Sequence, residues 1–143
     1  MTYINRGFTL IELMVAVAII AILMSFAYPS YINQVNSSRR AEAISALVTL
    51  ASDQERFYTT NSFYAATVAQ IASAGFNEPE YYTITVTNND PITVFTLTAT
   101  PNGWADAVCD VFTLTNVGVR GVTGDFDENN NPGEAADIIG CWN

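Results

Sequence analysis

Gly7-Phe8-Thr9-Leu10-Ile11-Glu12 opens an apolar run that continues to Tyr28, interrupted only by Thr9, Glu12 and Ser25. Residues 8–28, wound as a helix at about 1.5 Å per residue, span about 31 Å, enough to cross a hydrocarbon core of about 30 Å. A carboxylate inside such a run costs on the order of a few kcal/mol unless it is protonated or paired, so Glu12 needs its own explanation. Three readings of the segment stand side by side. A secretory signal would place a charge before the run, as Arg6 does, but the run is long for a signal core. Nor does an A-x-A-like cleavage site follow it at Tyr28-Pro29-Ser30. A plain membrane anchor leaves Glu12 unexplained. A helix that leaves the bilayer to pack against other copies of itself gives Glu12 a cationic partner in another chain.

The rest of the 143-residue chain is built for a different solvent. Residues 1–38 carry only two charges, Arg6 and Glu12, whereas residues 57–143 carry ten acids against one base, Arg120. The formal net charge is −9, with no lysine and no histidine. Phosphate affinity comes from Lys and Arg, so this balance argues against a nucleic-acid partner unless Arg39, Arg40, Arg56 and Arg120 converge. Without histidine, a Ser-His-Asp triad and the common zinc and haem ligand sets cannot be assembled, and no catalytic group stands out. At 50% hydrophobic residues the chain is too apolar to be disordered, and its length fits one domain with an appendage.

Beyond Pro29 the helical pattern resumes. Ile44, Leu47, Val48, Ala51, Phe57 and Tyr58 recur at roughly helical spacing, while Arg39, Arg40, Glu42, Asp53, Glu55 and Arg56 mark polar faces. The helix is expected to run to about Thr59, with Pro29 kinking or locally melting it. Phe57, Tyr58, Phe63 and Tyr64 are expected as core anchors, and residues 65–74 as a short helix stopped by Gly75. From Tyr81 the period changes to two. Residues 82–87 and 94–99 alternate across the turn formers Asn88-Asn89-Asp90-Pro91, which predicts an antiparallel hairpin. A third strand is expected over 111–116, with a short extension over 117–122. The class is α+β, a long helix packed on a small antiparallel sheet, because so few strands cannot form a core alone. Cys109 and Cys141 permit at most one internal disulfide.

The leader of residues 1–7 with basic Arg6, the Gly7-Phe8 junction, Glu12 five residues after Gly7, and Pro29 together resemble the processing site of type IV prepilins. That resemblance implies the type IV pilin fold and a division into a cleaved leader (1–7), a membrane and filament-core helix (8–28), its amphipathic half (29–60) and a globular head (61–143). A membrane prepilin peptidase would cut between Gly7 and Phe8 and N-methylate Phe8. The amine freed on Phe8 would pair with Glu12 of an adjacent subunit, turning a costly buried charge into a register device. Partners would be other pilin subunits and the inner-membrane assembly machinery. The chain would sit single-pass in the inner membrane, head in the periplasm, and then in a surface pilus serving adhesion or twitching motility. In that oxidising compartment Cys109 and Cys141 should join, as type IV pilins tie their C-terminal region. The segment 54–64, the run 95–101 and the closing Cys141-Trp142 resemble the PilE-like minor branch.

Residues 125–137 raise the one question of a cofactor. Asp125, Asp127 and Asn129 follow the start of an EF-hand spacing, but Asp137 falls one position beyond the usual bidentate acid and the sixth position lacks glycine. Residues 133–138 also resemble the calcium loop of the major pseudopilin of type II secretion. Either the loop holds calcium, or it is a solvated Asn/Asp loop and the chain has no cofactor. The alternatives to a pilus subunit are a type II secretion pseudopilin, a DNA-uptake minor pilin, and a plain membrane-anchored periplasmic domain.

Overall fold

The computed structural model describes residues 8–72, 76–90, 92–106, 108–124 and 131–143. The described elements are α1 (Leu10–Asn61), α2 (Val68–Ile71), β1 (Tyr82–Asp90), β2 (Val94–Pro101), β3 (Phe112–Thr115), β4 (Arg120–Val122) and α3 (Ala135–Trp142). Two compact units divide the chain, one ending at Ser37 and the other formed by Ser38–Asn143.

In the first unit the described residues are helical from Leu10 onward. Thr9 supplies its cap, its hydroxyl accepting the Glu12 backbone N–H at 3.3 Å, and the acid of Glu12 lies in the first turn, where the helix dipole favours it. Pro29 does not interrupt α1, which is continuous across it. Proline has no N–H to donate, so α1 lacks one backbone hydrogen bond at this turn. Every described residue through Gln34 is exposed.

In the second unit α1 has one buried face. Ala43, Ala46, Leu47, Leu50, Asp53 and Gln54 recur at three- and four-residue steps and are all buried. Ile44, Ala51, Phe57 and Tyr58 pack at the margin of this core, as their spacing predicts, but Val48 points outward and two polar residues take buried places. Gln54 earns its position by pairing with the backbone of Ala65, its Nε2 donating to Ala65 O and its Oε1 accepting from Ala65 N, both at 2.9 Å. That pair fastens the chain just after the helix ends at Ser62, whose φ of 63° gives the left-handed terminating residue. Tyr64 is buried against Phe95, and Phe63 is an exposed exception to the expected aromatic anchors.

The sheet is antiparallel in the order β1-β2-β3-β4. Register runs from Tyr82↔Pro101 to Thr87↔Thr96, with an irregularity before Asp90↔Val94. Its inner face (Tyr82, Ile84, Phe95, Leu97, Ala99, Phe112, Leu114) joins the buried face of α1 in one cluster. Threonines pair across the other face, Thr83 with Thr100, Thr85 with Thr98 and Thr87 with Thr96, which is why these strands alternate so cleanly in sequence. The extension expected over 117–122 is a strand of its own, turned back on β3 through Gly118 at a φ of 76°. The short helix after α1 is four residues long, Val68–Ile71.

Sequence reading did not anticipate α3. Within a stretch read as acidic loop, Glu134 and Asp137 form a capping box, and Cys141 and Trp142 are buried. Cys109 and Cys141 are disulfide-bonded, with Cα atoms 5.8 Å apart, so α3 is stapled to the segment entering β3. Closing a loop of this separation (32 residues) is worth about 3–4 kcal/mol in the chain-entropy model. Gly124 lets the chain pass directly against the backbone of Val108 and Cys109, where a Cβ would collide.

Candidate functional site

The residues singled out for assembly lie on the uncovered part of α1. Phe8, Leu10, Ile11, Leu13, Met14 and the aliphatic residues that follow to Ile32 are all solvent-exposed, and α1 is long and apolar enough to cross a membrane. Glu12 is exposed among them, and among the described residues the ion pairs within the chain involve other acids. Its carboxylate is therefore presented outward in a field of aliphatic side chains. Gly7, the other half of the expected cleavage junction, lies outside the described residues.

The head is anchored by a carboxylate that sequence reading passed over. Asp106 is buried and collects five donors. Arg40 on α1 donates twice, Nε to Oδ2 at 2.7 Å and a terminal nitrogen to Oδ1 at 2.6 Å. The Tyr82 hydroxyl on β1 donates at 3.2 Å, and the backbone N–H groups of Val108 and Cys109 each donate at 3.2 Å. One side chain thus joins helix, sheet and disulfide. Burial pushes the Asp106 carboxyl up, but the Arg40 hydrogen bonds, the Cys109 N–H, the Arg40 charge and the Val108 N–H together hold it below the ordinary carboxylate value. The same arrangement raises the Tyr82 hydroxyl, first through burial and then through the charge of Asp106. In the sequence Asp106 is one acid among fourteen; its placement three residues before a cysteine, an acid able to cap that cysteine's N–H, is the only signal.

The arginines do not form one surface. Arg40 is committed to Asp106 and Arg56 to Asp53 at 3.0 Å. Arg39 lies over the rings of Tyr81 (4.1 Å) and Trp104 (5.0 Å), and Arg120 over Trp142 (5.2 Å). Of the residues considered for calcium, Asp125, Asp127 and Asn129 lie outside the described residues. Asp137 is buried in the first turn of α3, where its Oδ2 accepts the Glu134 N–H at 3.1 Å.

An exposed apolar helix continuous with the core helix of a disulfide-stapled α+β head defines a subunit that must be covered by lipid or by its neighbours. The chain belongs to the type IV pilin family, as a structural subunit rather than an enzyme: residues 29–113, more than half of it, match the model described as type IV minor pilin ComP, DNA uptake sequence receptor. Residues 4–28 match the prokaryotic N-terminal methylation motif. The chain is 41% identical over 70 residues to the type IV major pilin PilA of Myxococcus xanthus, covering 49% of this chain and 32% of that one. It is 51% identical over 45 residues to the major fimbrial protein FimA of Dichelobacter nodosus, covering 32% of this chain and 28% of that one. The type II secretion system core protein G of Pectobacterium carotovorum is 34% identical over 65 residues, 46% of this chain and 42% of that one. The matches thus span about a third of the length of the first two relatives. Among solved structures, a type IV pilin from Shewanella oneidensis overlaps 67% of this chain and 94% of its own at 29% identity and a TM-score of 0.47. The family assignment rests on the sequence matches.

Asp106→Asn leaves the Arg40 guanidinium half-buried without its counter-charge and should destabilise the head by about 3–5 kcal/mol. An acid whose folded pKa is depressed stabilises the fold above its unfolded value and loses that contribution as pH falls through the folded one. Thermal melts of the detergent-solubilised chain should therefore drop in the wild type below the ordinary aspartate value of about 3.9, and the variant should lack that component of the drop.

Proposed function

We propose that this chain is a minor, PilE-like structural subunit of a type IV pilus. It is held single-pass in the bacterial inner membrane by residues 8–28 with its head in the periplasm, cut between Gly7 and Phe8, and N-methylated at Phe8. The inner-membrane machinery then moves it into a filament that serves adhesion or twitching motility. The observation that carries this reading is the complete exposure of the aliphatic residues of α1 through Ile32, in a chain whose methylation motif spans residues 4–28. Exposure on that scale is a liability in water and an asset in lipid or in a bundle of like helices. The freed Phe8 amine of one subunit is the cation that makes Glu12 of the next affordable in that setting.

Two other readings have specific support. The match to a type II secretion core protein keeps the pseudopilin alternative in view, against which the Cys109–Cys141 disulfide argues. The description of the family model supports a DNA-uptake minor pilin. For that role the chain offers little free positive charge; Arg39 beside Tyr81 and Trp104 is its best cation-and-aromatic surface.

Glu12→Ala separates processing from assembly. The variant should still be cleaved and methylated, accumulate in the membrane, and fall at least about tenfold in sheared fibres, which corresponds to losing about 1.4 kcal/mol of docking. Fibre content equal to wild type contradicts the role of Glu12. In a low-salt gel shift the structural reading expects no retardation of duplex DNA by micromolar protein; tight binding that Arg39→Ala abolishes would establish the DNA-receptor reading instead.

A further inference from the structure

Strand β2 ends at Pro101 and runs into Asn102-Gly103-Trp104, the one Asn-Gly dipeptide in the sequence. The fold pins this segment on both sides of the glycine. Asn102 N donates to Tyr81 O at 2.9 Å, and the Trp104 indole Nε1 donates to the same oxygen at 2.8 Å. Between these anchors Gly103 turns the chain at a φ of 74°, a left-handed conformation that disfavours any residue with a Cβ. Glycine thus follows Asn102 for a backbone reason, and the space around it is open: a Cβ built there would meet nothing within 4 Å. Both residues are exposed. Among the described residues, neither the Asn102 carboxamide nor the Gly103 N–H has a hydrogen-bond partner.

Other described asparagines are held. Asn61 donates its amide to Phe57 O at 2.9 Å, and the N–H of the following Ser62 is bound to Tyr58 O at 2.8 Å. Asn88 donates to Tyr64 O and Ala65 O. Asn116 donates to Thr93 O at 3.0 Å and is followed by the branched side chain of Val117. Asn33 and Asn36 lie within α1, where the next N–H is spent on the helix ladder.

We infer that Asn102 is a site of spontaneous deamidation in the folded head, with water as the only co-reactant. The Gly103 nitrogen attacks the Asn102 Cγ, and the new C–N bond closes a cyclic imide. The Cγ–Nδ2 bond breaks, and ammonia leaves carrying the proton lost from Gly103 N. Water then opens the ring at either carbonyl, giving aspartate by one cleavage and isoaspartate by the other, each releasing a proton as its carboxylate forms. Either product adds a negative charge to the loop. The isoaspartyl form also inserts a main-chain carbon between the two groups anchored on Tyr81 O. The Tyr81 ring lies 4.1 Å from the Arg39 guanidinium, so the modification alters the loop that carries the cation-and-aromatic surface of the head.

The test incubates the purified full-length chain, folded in detergent, in neutral buffer made with water enriched in heavy oxygen, and maps its peptides by mass spectrometry. Heavy oxygen should enter at Asn102 at least several-fold faster than at Asn61 or Asn116, and at a rate close to that in the reduced, denatured chain. Conversion at Asn102 no faster than at Asn61 and Asn116, or seen only after denaturation, overturns the inference. Asn102→Gln keeps a carboxamide but needs a larger ring to react. It should melt as the wild type does and lose the acidic band that isoelectric focusing resolves in aged protein. An acidic band undiminished in this variant places the reaction elsewhere and also overturns the inference.

Discussion

Helix α1 must serve two environments with one continuous hydrogen-bonded backbone. Within the head it gives a stripe of small and aliphatic residues, Ala43 to Leu50, to the inner face of the sheet. From Leu10 to Ile32 its aliphatic residues stand exposed on every side. Neither half could be exchanged for the other. An amphipathic stripe would be wasted in lipid, where polar faces are penalised, and an all-round apolar surface cannot pack on a small sheet without exposing its far side to water. In the proposed assembly the cover comes from outside the chain, and Glu12 would set its register by adding a single charge that only one docking position satisfies.

A head clamped to only part of a helix needs fastening beyond hydrophobic burial. Asp106 supplies it at one end, through Arg40 on α1 and Tyr82 on β1, while its backbone contacts reach Cys109. Gln54 supplies it toward the other end by holding Ala65. The disulfide then closes α3 against the entrance to β3, and Trp142 packs edge-on against Phe112 with its Nε1 donating to Gly121 O. These polar anchors are buried and satisfied, so they define one arrangement of helix and sheet rather than a range of slipped packings.

Much of this was written plainly in the chain. The N-terminal methylation motif over residues 4–28 is linear, so it needs no tertiary information to be read. The hairpin was legible because threonines alternate with Ile84, Val86, Phe95 and Leu97, which is the signature of one wet and one dry face. What escaped notice depends on partners remote in sequence. Asp106 looks like any other acid until Arg40, 66 residues away, is placed beside it. Gln54 looks like part of a polar face until the chain doubles back to Ala65. Helix α3 is only eight residues long and begins inside an acidic stretch, so its period had too few turns to emerge. Spacing alone groups Val48 with the core positions, but Ala43, Ala46, Leu47 and Leu50 already fill the buried face and Val48 stands exposed.

The positive charge on which the proposed assembly depends would be the Phe8 amine, which the composition does not count because only processing would free it. Mass spectrometry of the amino terminus of the chain purified from sheared fibres examines it directly. The account predicts a protein that begins at Phe8 and carries a methyl group on its nitrogen. A chain that still begins at Met1 would contradict it.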